Sequence, residues 1–179
     1  MTEFILKKPV YLCGMMGSGK SAAGRILARK LDTDFTDLDD VIEEKLEMPV
    51  KQIFKEKGEA FFRRAEWGAL RKITLINKIQ VVSLGGGSLQ NQQITNHLKI
   101  SGWLIFLNPP QSVLLERLQS AENRPMLTHS EKNIDQRISE LLEKRMPLYK
   151  QAHITLNTGG ETPGETAEKI IEKLKIYDS

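Results

Sequence analysis

The segment GMMGSGKS, residues 14–21, decides the fold of this 179-residue chain. It fits the pattern G-x-x-x-x-G-K-[ST], in which the backbone N–H groups of a glycine-rich loop surround phosphate oxygens. The apolar run Val10–Cys13 precedes it, and a helical pattern through Ile26, Leu27 and Leu31 follows it. This order of strand, loop and helix is the context that the pattern requires. The segment therefore predicts a nucleoside triphosphate site rather than a plain glycine-rich turn.

Two side chains of this loop carry chemistry of their own. Lys20 is expected to reach the β- and γ-phosphates, and the Ser21 hydroxyl is expected to ligate Mg²⁺. The helix that begins near Lys20 adds the positive end of its dipole at the same place. A nucleoside triphosphate with Mg²⁺ is therefore the expected ligand.

Composition and charge exclude several classes of protein. Lysine and arginine exceed aspartate and glutamate by 26 − 23 = 3, an excess too small to indicate nucleic acid. Cys13 is the single cysteine, so no internal disulfide can form. No apolar run reaches the roughly 18 residues of a membrane span, and no signal-peptide pattern is present. We expect a cytoplasmic, soluble, single-domain protein over residues 1–179 that binds neither nucleic acid nor a membrane.

Short apolar runs alternate with helical patterns along the chain, which predicts an α/β fold. The runs start at Val10, Val81, Trp103 and Ile154, and the first three show no polar alternation. Strands of this kind lie in a parallel sheet that helices cover on both faces. A last helix is marked by the capping pattern TPGE, residues 162–165.

Two segments read as insertions around this sheet. Residues 41–76 have an almost wholly helical pattern with a break at Gly58. Residues 121–133 have no clear period and are predicted to form a mobile loop.

The signatures of two large classes of nucleotide-binding protein are missing. The segment NKIQ, residues 77–80, lacks the aspartate that a GTPase uses to read guanine. The apolar runs at 81–84 and 104–107 end in Gly85 and Asn108, whereas a motor ATPase would have an acidic residue there. A small-molecule kinase remains as the favoured class.

Three clusters could supply the chemistry of a phosphoryl acceptor. Asp37 and Asp39 would point the same way on an extended segment, although such acids are more often a solvated helix start. Arg63 and Glu66 can pair on one helix face, although a surface ion pair is the common outcome. The triplet 85–87 ends a strand, where three glycines permit close approach of a ligand or simply form a turn.

Taken together in order and spacing, these clusters resemble the shikimate kinase family over roughly residues 9–175. The matching segments are the phosphate loop, DLD at 37–39, FRRAE at 62–66, SLGGG at 83–87, RPML at 124–127 and RMPLY at 145–149. The acidic pair or the glycine triplet alone would be a weak signal, whereas the ordered set is a strong one.

The resemblance implies ATP-dependent phosphorylation of the 3-hydroxyl of shikimate, a step of aromatic amino-acid synthesis. It implies a P-loop, nucleoside-monophosphate-kinase-like fold in three layers, with a five-stranded parallel sheet. An acceptor-binding insertion would lie at about residues 40–76 and a lid at about residues 121–133. The partners would be shikimate and ATP, the cofactor Mg²⁺, and we expect a monomer.

The resemblance also implies a role for individual residues. Asp39 would hold shikimate hydroxyls and act as the base, while Lys20 and the lid residue Arg124 would reach the transferred phosphoryl group. Asp37 would support Mg²⁺ through water beside Ser21. The implied ATP-binding set is Gly14, Gly17, Ser18, Gly19, Lys20, Ser21, Ala22, Arg117 and Arg124. The implied shikimate-binding set is Asp39, Arg63, Gly85, Gly86, Gly87 and Arg145, in which the two arginines grip the carboxylate and Glu66 orients Arg63.

Two alternatives stay open beside this reading. Another small-molecule kinase of the same fold, such as a gluconate kinase, would share the phosphate loop but has no evident use for Arg63 and Arg145. A regulatory module that binds ATP without turnover would not need Asp39. Residues 158–163 differ from the family where it often has a basic residue near the adenine, which leaves the adenine contacts there open.

Overall fold

A computed structural model describes residues 4–119 and 133–177. Within these ranges five parallel strands form one sheet in the order β2-β3-β1-β4-β5. The strands are β1 Val10–Cys13, β2 Asp34–Asp37, β3 Gln80–Ser83, β4 Trp103–Asn108 and β5 Ile154–Asn157. The predicted α/β class with a five-stranded parallel sheet is confirmed.

Seven helices among the described residues connect and cover the strands. They are α1 Lys20–Lys30, α2 Leu38–Leu46, α3 Val50–Ile76, α4 Gln92–Ser101, α5 Gln111–Gln119, α6 Ile134–Tyr149 and α7 Pro163–Tyr177. The capping pattern before α7 forms as predicted, because Glu165 N–H donates to Thr162 Oγ1 and Thr162 N–H donates to Glu165 Oε2.

The core lies on both faces of the sheet, which makes the fold three-layered. On β1, Val10 and Leu12 face a cluster with α1 and α7, while Tyr11 and Cys13 face a cluster with α2, α3 and α4. A parallel strand buried on both faces is apolar throughout, which is why this run shows no alternation. The sheet thus holds the carboxyl ends of its strands at one edge, where ligands of such folds bind.

The predicted insertion at about residues 40–76 falls on α2 and α3. Gly58 has φ 79° and interrupts the helical backbone of α3, as the sequence break predicted. The predicted lid at about residues 121–133 lies, apart from its last residue Asn133, outside the described residues, and so does Arg124. Of the described helices, none is long and apolar enough to cross a membrane.

Candidate active site

The phosphate loop links β1 to α1 with the geometry that its glycines permit. Gly14 has φ 141°, and a Cβ there would lie 2.5 Å from the carbonyl oxygen of Leu107 on the neighbouring strand β4. Lys20, only 8% exposed, donates from Nζ to the carbonyl oxygens of Gly14 and Met15, each at 3.0 Å. The ammonium group is therefore held across the loop in which phosphate would sit.

Asp37, the last residue of β2, is hydrogen-bonded to Ser21 at the end of the phosphate loop. Its Oδ2 accepts a hydrogen bond from Ser21 Oγ at 2.5 Å, and Ser21 Oγ lies 3.1 Å from Ser83 Oγ at the end of β3. Three oxygen-bearing side chains from three elements thus meet beside the loop. Sequence reasoning found Ser21 and Asp37 but gave Ser83 no part in this group.

The extended conformation predicted for residues 37–39 is wrong at Asp39. Asp37 ends the strand and caps α2, since its Oδ1 accepts the backbone N–H of Asp39 at 3.1 Å. Asp39 therefore lies in the first turn of a helix. Both carboxylates still line the pocket, Asp37 from the end of the strand and Asp39 from the first turn of the helix.

Asp39 is not the solvated helix-start acid that the alternative interpretation supposed. Its Oδ1 is buried and has no hydrogen-bond partner within the described ranges. Burial, followed by the nearby charges of Glu66 and Asp37, raises the pKa of Asp39 from 3.8 to about 6, against the opposing pull of Lys20 and Arg63. A carboxylate with this pKa is ionised, but still basic, near neutral pH.

Arg63 and Glu66 form a buried ion pair rather than a surface one. Arg63 Nη1 donates to Glu66 Oε2 at 2.8 Å, with the arginine side chain 14% exposed. Glu66 also accepts from Ser88 Oγ at 2.5 Å and from Gln90 Nε2 at 3.1 Å. Ser88 and Gln90 were missed by sequence reasoning, and the only signal for Ser88 was its place directly after the glycine triplet.

Each glycine of the triplet abuts a different part of the site. A Cβ at Gly85 would lie 2.7 Å from Glu66 Oε1, and one at Gly87 would lie 2.3 Å from Arg63 Nη2. A Cβ at Gly86 would lie 2.9 Å from the backbone nitrogen of Met16 in the phosphate loop. The triplet therefore packs closely against the phosphate loop and against the ion pair of Arg63 and Glu66, and it is not a plain turn.

Arg145 reaches the same place from α6. Its Nη1 donates to the Gly86 carbonyl oxygen at 2.9 Å and lies 3.5 Å from Met15 Sδ. The Tyr149 hydroxyl donates to the same carbonyl oxygen. Arg145 is 8% exposed, so the guanidinium is fixed between the phosphate loop and the triplet. Sequence reasoning assigned no part to Met15 or to Tyr149.

The residues that the resemblance associates with adenine also line the pocket. Arg117 Nη1 donates to the Gly17 carbonyl oxygen at 3.0 Å. Glu161 also lines the pocket, where its Oε2 accepts the Gly159 N–H at 2.6 Å and its other oxygen pairs with Lys169. An acidic residue with its own internal partners thus occupies the region where the family often has a basic one.

One cavity of about 920 Å³ brings these groups together. The sequence-predicted residues that line it are Gly17, Ser18, Gly19, Lys20, Ser21, Ala22, Asp37, Asp39, Arg63, Gly85, Gly86, Gly87, Arg117 and Arg145. Gly14 contributes its carbonyl oxygen to Lys20, and Arg124 lies outside the described residues. A cavity with an anion-binding loop, a raised-pKa carboxylate and two guanidinium groups suits transfer of a phosphoryl group to a hydroxylated carboxylic acid.

Comparison with known proteins gives a consistent family. The model of the family "Shikimate kinase" matches residues 16–175. A shikimate kinase of Thermodesulfovibrio yellowstonii is 42% identical over 166 residues, covering 93% of this chain and 94% of the relative. One from Sulfurihydrogenibium sp. is 39% identical, covering 94% and 98%.

Solved structures agree with this. Shikimate kinase from Acinetobacter baumannii in complex with shikimate has a TM-score of 0.89 at 34% identity, covering 98% of this chain and 96% of that one. The APS kinase of Mycobacterium tuberculosis has a TM-score of 0.59 at 15% identity and shares the fold alone.

Proposed function

This chain belongs to the shikimate kinase family, and from that premise we propose that its cavity transfers the γ-phosphoryl group of ATP to the 3-hydroxyl of shikimate. The product would be shikimate 3-phosphate, on the route to the aromatic amino acids. The observation that carries the proposal is the placement of the phosphate loop, Asp39, Arg63 and Arg145 around one cavity.

The nucleotide end uses the phosphate loop. Backbone N–H groups and the start of α1 favour the negative phosphates. Lys20 would exchange its contacts with the carbonyl oxygens of Gly14 and Met15 for phosphate oxygens, which bear a full negative charge. Arg117 is proposed as a contact on the adenine side.

The group formed by Ser21, Asp37 and Ser83 fits a magnesium ion. Mg²⁺ prefers oxygen ligands and keeps several waters, so one hydroxyl, one carboxylate acting through water and the phosphates make a suitable donor set. Ser21 would hold the ion directly. When bound, Mg²⁺ neutralises the charge that develops on the β- and γ-phosphate oxygens. Ser21→Ala should raise the Mg²⁺ concentration needed for half-maximal ATP binding, measured by calorimetry.

The acceptor end uses the two arginines. A planar carboxylate suits guanidinium groups, which can bind it through two parallel hydrogen bonds. Arg63, held by Glu66, and Arg145, held by Gly86, would bind the shikimate carboxylate. The ring would then pack against the glycine triplet, with its 3-hydroxyl toward the phosphate loop.

Asp39 is proposed as the group that orients and deprotonates that hydroxyl. The buried Oδ1 without a partner is a ready acceptor for a substrate O–H. A pKa of about 6 leaves Asp39 ionised at neutral pH and matches the requirement for a base near the working pH.

A coupled assay of ADP release tests the proposed function. Purified protein with ATP and Mg²⁺ should release ADP when shikimate is added and not when gluconate is added. Absence of shikimate-dependent turnover would overturn the proposal, and turnover of gluconate would favour the alternative kinase. Asp39→Asn should lower kcat by about 10²–10⁴-fold while ATP still binds, because it keeps the shape and removes the base. A variant that keeps more than about a tenth of the rate would refute the role of Asp39.

The monomeric state and the cytoplasmic location stay predictions from the sequence. The proposed lid role of Arg124 is tested by Arg124→Ala, which should lower kcat more than it weakens shikimate binding. Sedimentation of the purified protein tests the monomer.

A further inference from the structure

We propose that Ser88 is a positioning residue for the acceptor carboxylate, acting through Glu66 on Arg63, with Gln90 as a second support. The inference rests on the proposed function, because it concerns how the carboxylate of shikimate is bound.

The Glu66 carboxylate is held at both oxygens. Oε2 accepts from Arg63 at 2.8 Å and from Gln90 at 3.1 Å, whereas Oε1 accepts from Ser88 Oγ at 2.5 Å. Glu66 is 1% exposed and Ser88 is 2% exposed. Within the described part of the chain, the hydroxyl of Ser88 is therefore the one donor to Oε1.

Hydrogen bonds at both oxygens are needed to fix a carboxylate in one plane. The last torsion of a glutamate side chain is broad, so a bond at Oε2 alone leaves the group free to rotate. A buried Oε1 without a donor also carries a desolvation cost. The bond from Ser88 removes both problems and gives Arg63 a fixed counter-charge.

The backbone is arranged to let this bond form. A Cβ at position 85 would lie 2.7 Å from Glu66 Oε1 and 3.1 Å from Ser88 Oγ. Glycine at this position therefore gives the two side chains room to meet. Gly87 likewise leaves room for Arg63, the partner of Glu66 in the ion pair, because a Cβ at position 87 would collide with Arg63 Nη2.

Arg63 has a second acidic neighbour, which makes its alignment conditional. Its Nε and Nη2 each lie 3.4 Å from Oε1 of the exposed Glu59. If Glu66 loses its fixed plane, Glu59 can draw the guanidinium toward solvent and away from a bound carboxylate. Ser88 thus decides which of two acids orients the arginine.

The test measures how one variant phosphorylates two different acceptor substrates. Ser88→Ala is assayed with shikimate and with an analogue whose carboxylate is replaced by a hydroxymethyl group. Ser101→Ala is the matched control, since its hydroxyl also makes one hydrogen bond, to the His97 carbonyl oxygen at 2.7 Å, outside the pocket. Thermal unfolding of each variant is followed alongside.

Ser88→Ala should raise KM for shikimate roughly tenfold and change kcat less than about threefold. With the neutral analogue, kcat/KM of Ser88→Ala should equal kcat/KM of the wild type, because the analogue has no carboxylate for Arg63 to bind. An equal loss with both acceptors, or no loss with shikimate, would overturn the inference. Ser101→Ala should behave as the wild type with both.

Two further outcomes are distinguishable. If the wild type leaves shikimate unphosphorylated, the proposed function fails and this inference with it. If Ser88→Ala does not fold, Ser88→Cys takes its place, since a thiol has a similar size but is only a weak hydrogen-bond donor. It should raise KM for shikimate about threefold, again only for the acceptor with a carboxylate. An unchanged KM in Ser88→Cys would overturn the inference.

Discussion

The Asp37 carboxylate accepts the backbone N–H of Asp39 at 3.1 Å. Because this hydrogen bond caps the helix that begins between them, the two acids have different surroundings. Asp37 stays against Ser21 beside the phosphate loop, at 2.5 Å. Asp39 is turned into the first helical turn, where it lies near Glu66 and Gly85. This difference in surroundings agrees with the separate roles that we propose, Asp37 beside the metal and Asp39 beside the acceptor hydroxyl.

If Asp39 is the base that we propose, its raised pKa gives the reaction an acid limit. The carboxylate must then be ionised to accept a proton, so kcat/KM for shikimate should fall about tenfold per pH unit below about pH 6. Initial rates at saturating ATP and Mg²⁺, from about pH 5 to pH 8, measure this limb. A profile that stays flat down to about pH 5 would contradict the assignment of Asp39 as the base.

Asp39→Asn should stabilise the folded protein at neutral pH. The folded pKa of about 6 exceeds the ordinary value of 3.8, so folding disfavours the ionised carboxylate. Below pH 3.8 the acid is neutral in both states and this penalty is absent; it grows as pH rises to about 6 and is constant above that. The variant should gain about 3 kcal/mol in the free energy of unfolding near pH 7.5.

Urea unfolding at two pH values measures this gain, which should shrink toward zero near pH 4. Asp40→Asn is the control, because Asp40 is 65% exposed and its pair with Arg25 at 3.4 Å is worth little. Equal stability of the wild type and Asp39→Asn near pH 7.5 would show that Asp39 is not desolvated in the fold.

Gly87→Ala should disturb Arg63 and leave the fold intact. The added methyl group would meet Arg63 Nη2 at 2.3 Å, and a side-chain end can move away where a backbone cannot. The displaced guanidinium should raise KM for shikimate at least about tenfold, the effect of losing a charged hydrogen bond. Steady-state kinetics and thermal unfolding measure the two effects.

Gly68→Ala is the matched control for this substitution. Gly68 lies within α3, with nothing within 4 Å of a Cβ built there. Alanine should be neutral or stabilise the helix by up to about 1 kcal/mol. If Gly87→Ala kept the wild-type KM, the close approach of Arg63 to the triplet would not matter for binding.

Arg145→Ala should weaken shikimate binding more than it changes kcat. The fixed guanidinium beside Gly86 would be lost, and KM for shikimate should rise about 10–100-fold. Arg145→Lys should restore little, because an ammonium group cannot make two parallel hydrogen bonds. Direct binding by calorimetry checks this, with Arg137→Ala on the same helix α6 as the control, since Arg137 pairs with Glu140 at 3.7 Å. Unchanged shikimate affinity in Arg145→Ala would remove Arg145 from the site.

Local patterns were enough to predict the framework of the site. The strand before residues 14–21, the helix after them and the hydroxyl of Ser21 follow from glycine geometry and apolar spacing within about twenty residues. The capping pattern at 162–165 and the break at Gly58 were predicted for the same reason. Backbone propensity and hydrogen bonds between near neighbours govern such features.

The conformation at Asp39 was predicted wrongly because two local rules compete there. Alternation along a strand would keep Asp37 and Asp39 on one side, but Asp37 is also a good helix cap. Packing of Leu38, which is fully buried, accompanies the helical outcome. Spacing alone does not reveal which rule prevails.

The sequence by itself determined the phosphate loop, the α/β framework and, through the ordered motifs, the family. The tertiary structure alone decided which distant side chains meet. Ser88 reaches Glu66 across 22 positions, and Arg145 reaches Met15 across 130. Such contacts depend on the order β2-β3-β1-β4-β5, which brings the carboxyl ends of separate strands to one edge. The surroundings of Asp39, and hence its pKa, follow from that packing and from no pattern along the chain.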